Sequence, residues 1–224
     1  MSPARRARAG PESLAPVARR SVSEAVADHI RELVFFGKLR HGERVPQREI
    51  AETLGVSSVP VREAIAALQR EGVVTIEPNR GAFVNGLDAD VVREQFHVYG
   101  RIYGLAVRNF TLRAGAGGAA KLVELAERVS REKNPDALLA LSIEFQMLVV
   151  HHGGSKRLRA LMAPIWGIVP GNFYVTIPGS AELTREVLPE IAEQIEAGNA
   201  EEAERACWRF IQGIGELVAA RFED

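Results

Sequence analysis

Few side chains able to do covalent or metal chemistry are present, and they are scattered. The 224 residues hold one cysteine, Cys207, and five histidines. A single cysteine closes no intrachain disulfide and forms no zinc cluster. His151 and His152 are adjacent, so on a helix they point about 100° apart and do not chelate as a pair. His97 stands alone on its segment. All three read as ordinary histidines. No nucleophile elbow, phosphate-binding glycine loop, H-E-x-x-H string or pair of catalytic carboxylates occurs. An enzyme is not expected, and neither a metal nor another cofactor is. What remains is non-covalent. Along residues 59–71, the face opposite the apolar stripe carries Arg62, Glu63, Ala66, Gln69 and Arg70, groups suited to hydrogen bonding rather than bond breaking.

The elements that must position this face are legible from periodicity. Residues 22–36 show a helical stripe of Val26, Ile30, Leu33 and Val34, stopped by Gly37. Residues 47–54 form a second short helix with Ile50, Ala51 and Leu54 inward, ended by Gly55. Residues 59–71 form a third, with Val61, Ala64, Ile65 and Leu68 on one face. Ser58 is its expected N-cap, and Pro60 falls in the first turn, where its missing N–H does no harm. Val73 to Ile76 and Ala82 to Val84 read as two short strands around the turn Glu77-Pro78-Asn79-Arg80-Gly81.

From Asp88 onward only helices are expected, over 88–113, 118–132, 135–152, 155–169, 181–197 and 200–222. The last carries a stripe of Ala203, Cys207, Phe210, Ile214, Leu217 and Val218. The fold class is thus mainly α: a winged helix-turn-helix of three helices and a two-stranded wing over residues 21–84, then an all-α helical bundle over 85–224. In such a unit the third helix enters the major groove of DNA, and its N-terminal residues reach base edges.

Composition agrees with a globular chain, 46% hydrophobic and 25% charged. Net charge is −1, but its distribution is uneven. Residues 1–20 hold five arginines against one glutamate, together with Pro3, Gly10, Pro11 and Pro16, and read as a flexible basic arm. The other two parts are slightly acidic. A polyanion would meet the N-terminal end first. No apolar run reaches the length of a membrane span, and no apolar stretch follows the N-terminal arginines as in a signal peptide, so no membrane partner and a cytoplasmic location are expected.

The string ERVPQREIAETLGVSSVPVREAIAALQREGVVTIEPNRGAFV, residues 43–84, resembles the GntR family of bacterial repressors, over about residues 22–84 in all. The helical remainder resembles the FCD domain of its FadR subfamily in helix count and order. The resemblance implies a sequence-specific transcriptional regulator, most often a repressor, acting as a homodimer on a pseudo-palindromic double-stranded DNA operator under control of a small-molecule effector. It implies DNA contacts from Arg48, Ser57, Ser58, Val59, Pro60, Arg62, Arg80 and Gly81. Arg62 would form a fork to guanine, and Gly81 would let the wing backbone approach the minor groove. Two positions depart from the family pattern: Ser58 stands where Arg is common, and Val59 where Thr is.

Many FCD domains hold a divalent metal with one Asp and three His. The matching positions here are Ser142, Gln146, Leu188 and Phe210, and the resemblance therefore implies no metal in this chain. An apolar pocket in its place suits an effector with a hydrophobic body, an organic acid or an acyl compound. Arg101 matches a family arginine, and Leu105 stands where that arginine's Glu partner is expected, so Arg101 either meets an anionic head or pairs elsewhere. Tyr103, with Ser142, Gln146, Leu188 and Phe210, completes the expected effector set. Tyr99, Trp166, Asn172 and Tyr174 are further pocket candidates. A second reading stays open, in which the helical part only dimerises and binds neither effector nor metal.

Overall fold

The computed structural model describes residues 21–166 and 177–223, without the side chains of 115–117 and 163–166. The basic arm, Asn172, Tyr174, the side chain of Trp166 and the end of the helix expected over 155–169 lie outside the described residues.

Helix α1 (Val22–Phe35) begins at a capping box: the Ser21 hydroxyl accepts from the Glu24 amide, and the Glu24 carboxylate accepts from the Ser21 amide. It buries Val26, Ala27, Ile30 and Val34 against α3 (Ser58–Arg70), which offers Val61, Ala64, Ile65 and Leu68 in return. The 3.6-residue period of both stripes produces this match. Between them in sequence lies α2 (Gln47–Leu54), anchored by Ile50. Arg31 on α1 reaches across to the end of α3, donating to both oxygens of Glu71 at 2.8 Å. Two expectations change. The N-cap of α3 is Ser57, not Ser58, so Ser58 is the first helical residue. Leu54 lies near the surface at the last turn of α2, whose one buried residue is Ile50.

The wing is β1 (Val74–Glu77) paired antiparallel with β2 (Gly81–Val84), in the register Val74 with Val84 and Glu77 with Gly81. The turn is thereby one residue shorter at each end than expected. On the far side of β2, residues 42–45 add a third backbone segment. Val45 donates to the Ala82 carbonyl at 2.8 Å, and Val84 donates to that of Glu43 at 3.0 Å. Periodicity gave no warning of this segment, which is too short to show any. It leaves β2 paired on both sides and stiffens the wing.

After Asp88, whose side chain caps the next helix by accepting from the Val91 amide, runs α4 (Ala89–Arg131), 43 residues and about 65 Å long. Two helices were expected here, over 88–113 and 118–132; they are one, running through Gly115, Gly117 and Gly118. Glycine inside a helix costs only about 1 kcal/mol, and both flanks of the stretch are held in one core, by Val107 and Phe110 before it and Ala119 and Leu122 after it. Four more helices pack on or near α4: α5 (Pro135–Gly153), α6 (Lys156–Trp166), α7 (Ser180–Glu196) and α8 (Ala200–Ala219), the last extended by a 3-10 turn, Ala220–Phe222.

The two parts touch through the ends of their helices. Phe35, the last residue of α1, is buried in the helical core and meets Phe222 edge-on at 5.4 Å. Beside it, Arg93 near the start of α4 donates to Glu216 of α8 at 2.9 Å and to Glu223.

α5 approaches α4 closely at Gly153, where a Cβ would lie 2.0 Å from the Ala106 carbonyl oxygen of α4. Gly153→Ala must push α5 off α4. It is expected to lower unfolding free energy by about 1–3 kcal/mol, read from urea denaturation; an unchanged midpoint would show that the crossing relaxes freely.

Candidate nucleic-acid interface

The inner face of α3 fixes the helix, which leaves its first turn and outer face to solvent. Ser57 has extended backbone at the N-cap, and its side chain makes no capping hydrogen bond. No side chain therefore closes the helix start, whose first amides and partial positive charge suit a phosphate oxygen. Ser57, Ser58 and Val59 are exposed, Val59 to 59%, while Pro60 is half-buried. Arg62 is exposed one turn on and donates to the Ser58 hydroxyl at 3.3 Å. Val59 leaves its methyl groups open to solvent at the helix start. Its methyl groups suit the thymine methyl in a major groove.

Arg48, on the second residue of α2, is 92% exposed and donates to Glu52 one turn later at 2.8 Å. An ion pair this exposed is worth little, so the guanidinium is readily exchanged onto another anion. Arg48, Ser58 and Arg62 line one open cleft between α2 and α3, together with Gln47 and Glu52. The structure thus brings these three expected residues together.

Arg80 and Gly81 sit apart, at the wing. Arg80 pairs with Glu77, and its guanidinium lies 5.3 Å from the centre of the Phe83 ring. Gly81 has φ +115°, and a Cβ there would come within 2.7 Å of Arg44 Nε. The wing tip therefore needs glycine for two reasons, backbone conformation and room for the Arg44 guanidinium. Arg44 was not singled out from the sequence. Only the third backbone segment beside β2 places it at the tip, and a segment that short leaves no periodic signal.

The expected effector residues fall into two groups. Tyr103, Ser142, Gln146, Leu188 and Phe210 are all buried in the helical part, contributed by α4, α5, α7 and α8. Tyr103 is stacked on Tyr99 at 5.8 Å, and the Tyr99 hydroxyl donates to Gln146 Oε1 at 3.4 Å. The Ser142 hydroxyl donates back to the Leu138 carbonyl of its own helix at 2.7 Å. Arg101 does not join them. It lies two residues from both Tyr99 and Tyr103, which on a helix turns it to the other side. It is exposed, with its guanidinium 4.8 Å from the centre of the Trp208 ring. Leu105 is exposed as well.

These side chains do not fit the metal that many FCD domains hold. Ser142 spends its hydroxyl proton on α5, Gln146 offers a neutral amide, and Leu188 and Phe210 offer no donor atom. Among the described residues, no group of three or more His, Cys, Asp or Glu could hold a metal ion. His151 and His152 are exposed, with their rings edge-on at 5.0 Å. Burial, with a smaller push from Glu204, raises the Cys207 thiol well above its ordinary range, so it is no nucleophile. No described helix is long and apolar enough to cross a membrane.

Comparison with known proteins bears on the same two parts. Residues 22–84 match the family described as bacterial regulatory proteins, gntR family, and residues 94–213 match the FCD domain. An uncharacterized HTH-type transcriptional regulator of Mycobacterium tuberculosis, Rv0043c, is 32% identical over 200 residues, covering 88% of this chain and 79% of its own. The HTH-type transcriptional repressor NanR of Enterobacter sp. is 35% identical over 78 residues, covering 34% of this chain and 30% of its own. Among solved structures, E. coli McbR/YncC shares the fold with a TM-score of 0.66 at 18% identity, covering 92% of this chain and 100% of that one.

The chain belongs to the GntR family of bacterial regulatory proteins and carries an FCD domain, a combination consistent with the FadR subfamily. It is a DNA-binding transcriptional regulator, not an enzyme.

Arg62→Ala is expected to weaken binding to the cognate operator by about 1–3 kcal/mol while leaving the fold intact. Titration of labelled DNA by fluorescence anisotropy measures this, and an unchanged affinity would remove Arg62 from the interface.

Proposed function

We propose that this chain is a repressor that binds a pseudo-palindromic operator as a homodimer, and that a small molecule held in the FCD domain sets its DNA affinity. In this reading residues 1–20 are a basic arm adding phosphate contacts, 21–84 the reader and 85–224 the sensor. Arg48, Ser57, Ser58, Val59, Pro60 and Arg62 meet the major groove and its phosphates, and Arg80 with Gly81 follows the flanking backbone or the minor groove. NanR, called a repressor, supports the sign of the regulation.

The observation that carries the effector half is that Tyr103, Gln146, Leu188 and Phe210 are buried in the helical part, with the half-buried Tyr99 stacked on Tyr103 and donating to Gln146. Neutral hydrogen-bonding groups set among apolar ones suit a ligand with a hydrophobic body and a small polar head. An acyl compound fits best. An organic acid would have its head met by tyrosine and glutamine rather than by Arg101, which is engaged on the outer face with Trp208. Phe35 against Phe222 supplies a mechanical route from the last helix of the sensor to the first helix of the reader. The coupling such a switch needs is modest, on the order of 1–3 kcal/mol.

Selection of genomic fragments by the purified protein is expected to yield one short inverted repeat. Salt-sensitive retention of fragments without any shared motif would count against sequence-specific reading. A thermal-shift screen of acyl compounds and small carboxylic acids is expected to find stabilisers that also release the operator. No stabilisation by any of them would favour a sensor that only dimerises. Phe222→Ala is expected to keep operator affinity within about threefold but to abolish release by a stabilising compound; a normal release curve would show that the signal travels another way.

A further inference from the structure

We propose that Arg44 is a further DNA-contacting residue, holding a phosphate beside the wing, and that Gly81 is the shelf that positions its guanidinium. The inference rests on the reading of α3 as the helix that enters the groove, and adds to that interface a residue that local pattern did not single out.

Arg44 lies opposite Phe83 in an antiparallel bridge, and Thr75 opposes Phe83 from the other side. Residues directly opposite across such a pair share a face. Thr75, Phe83 and Arg44 thus cross the wing in one row. Val45, Val74, Ala82 and Val84 alternate with them and are buried in the reader core. The row therefore lies on the outer face, where Arg44 and Thr75 are exposed.

Gly81 fixes where the Arg44 side chain goes. A Cβ there would lie 2.7 Å from Arg44 Nε, 3.2 Å from Nη2 and 3.4 Å from Cζ. Three guanidinium atoms at such distances lay the group over the glycine, at the tip of the wing. The same backbone segment then runs on toward that tip. Val45 donates to the Ala82 carbonyl, and Gln47 opens α2 two residues later. Arg44 therefore stands between the wing tip and the start of α2, where Arg48 and the cleft against α3 lie. It joins the two separate groups of expected DNA contacts.

Charge marks Arg44 out among the arginines of this interface. Arg48 is held by Glu52, Arg62 by Ser58 and Arg80 by Glu77. Arg44 makes no hydrogen bond or ion pair with any described residue. The nearby carboxylates are engaged, Glu77 by Arg80 and Glu43 by the Arg40 amide at 3.0 Å. Arg80 stands beside the same Phe83 ring, so an anion at the tip meets two cations. A guanidinium offers its donors in a planar fork that matches phosphate oxygens.

Titration of a short random-sequence duplex over a range of salt concentrations tests the contact, because phosphate contacts act on any sequence. Arg44→Ala is expected to bind roughly threefold to tenfold more weakly, to lower the slope of log affinity against log salt by about 0.9, and to keep the wild-type thermal melt. Arg44→Lys, which keeps the charge, is expected to restore the slope. On the inverted repeat selected from genomic DNA, Arg44→Ala is expected to lose the same factor, which leaves the ratio of specific to random-sequence affinity unchanged, whereas Arg62→Ala lowers that ratio. An unchanged slope for Arg44→Ala beside a lowered ratio for Arg62→Ala would remove Arg44 and leave the reader. No effect of either variant would overturn the reader and the Arg44 contact together. Gly81→Ala is expected to lower the slope as Arg44→Ala does, and to lower it no further in the Arg44→Ala chain. A second, additive loss would make Gly81 a contact in its own right and overturn the shelf.

Discussion

Burial of the inner face of α4 is the contact on which the rest of the molecule depends. Tyr103, Val107, Phe110, Leu122, Leu125 and Val129 on that helix meet α5, α7 and α8 in a single core. The same burial keeps α4 continuous through three glycines that would end a helix standing alone. One rigid rod results, with a reader attached at its start. Were the rod to break where the sequence suggests, the reader's attachment and the end of the sensor core would no longer be fixed relative to each other.

A second theme is the division of each functional helix into a held side and a free side. On α3, Val61, Ala64, Ile65 and Leu68 fix the helix, which leaves Ser58, Val59 and Arg62 outward at its start. On α4 the same division leaves Val91, Val98, Leu105 and Leu112 exposed, with Glu94 and Arg101 among them. Arginine and hydroxyl groups suit phosphates and base edges, whereas valines and leucines suit apolar surface.

The interior of the helical part holds neutral and apolar side chains, Ser142, Gln146, Leu188 and Phe210, at the positions matched to charged ligands. Leu188 and Phe210 are buried in the apolar core, and the buried Gln146 accepts from the Tyr99 hydroxyl. Burying charges without a metal would be costly, so the loss of carboxylate and imidazole together is physically consistent. Phe35 links this interior to the reader: it ends α1 of the reader yet is buried in the helical core.

Local pattern alone determined much of this protein. The three reader helices, the two-stranded wing, the helical character of everything after Asp88 and the outward placement of Arg48 and Arg62 follow from apolar periodicity and from turn residues. Both act over a few residues and need no knowledge of what lies across the fold. The tertiary structure alone decided where distant segments meet. It joined two expected helices into α4, since the decisive energy came from a shared core rather than from glycine propensity. It moved Arg101 from the expected pocket to Trp208, since a residue's side of a helix depends on which face the neighbours bury. It brought Arg44 to the wing and Phe35 to Phe222, contacts between segments far apart in the chain that no local spacing encodes.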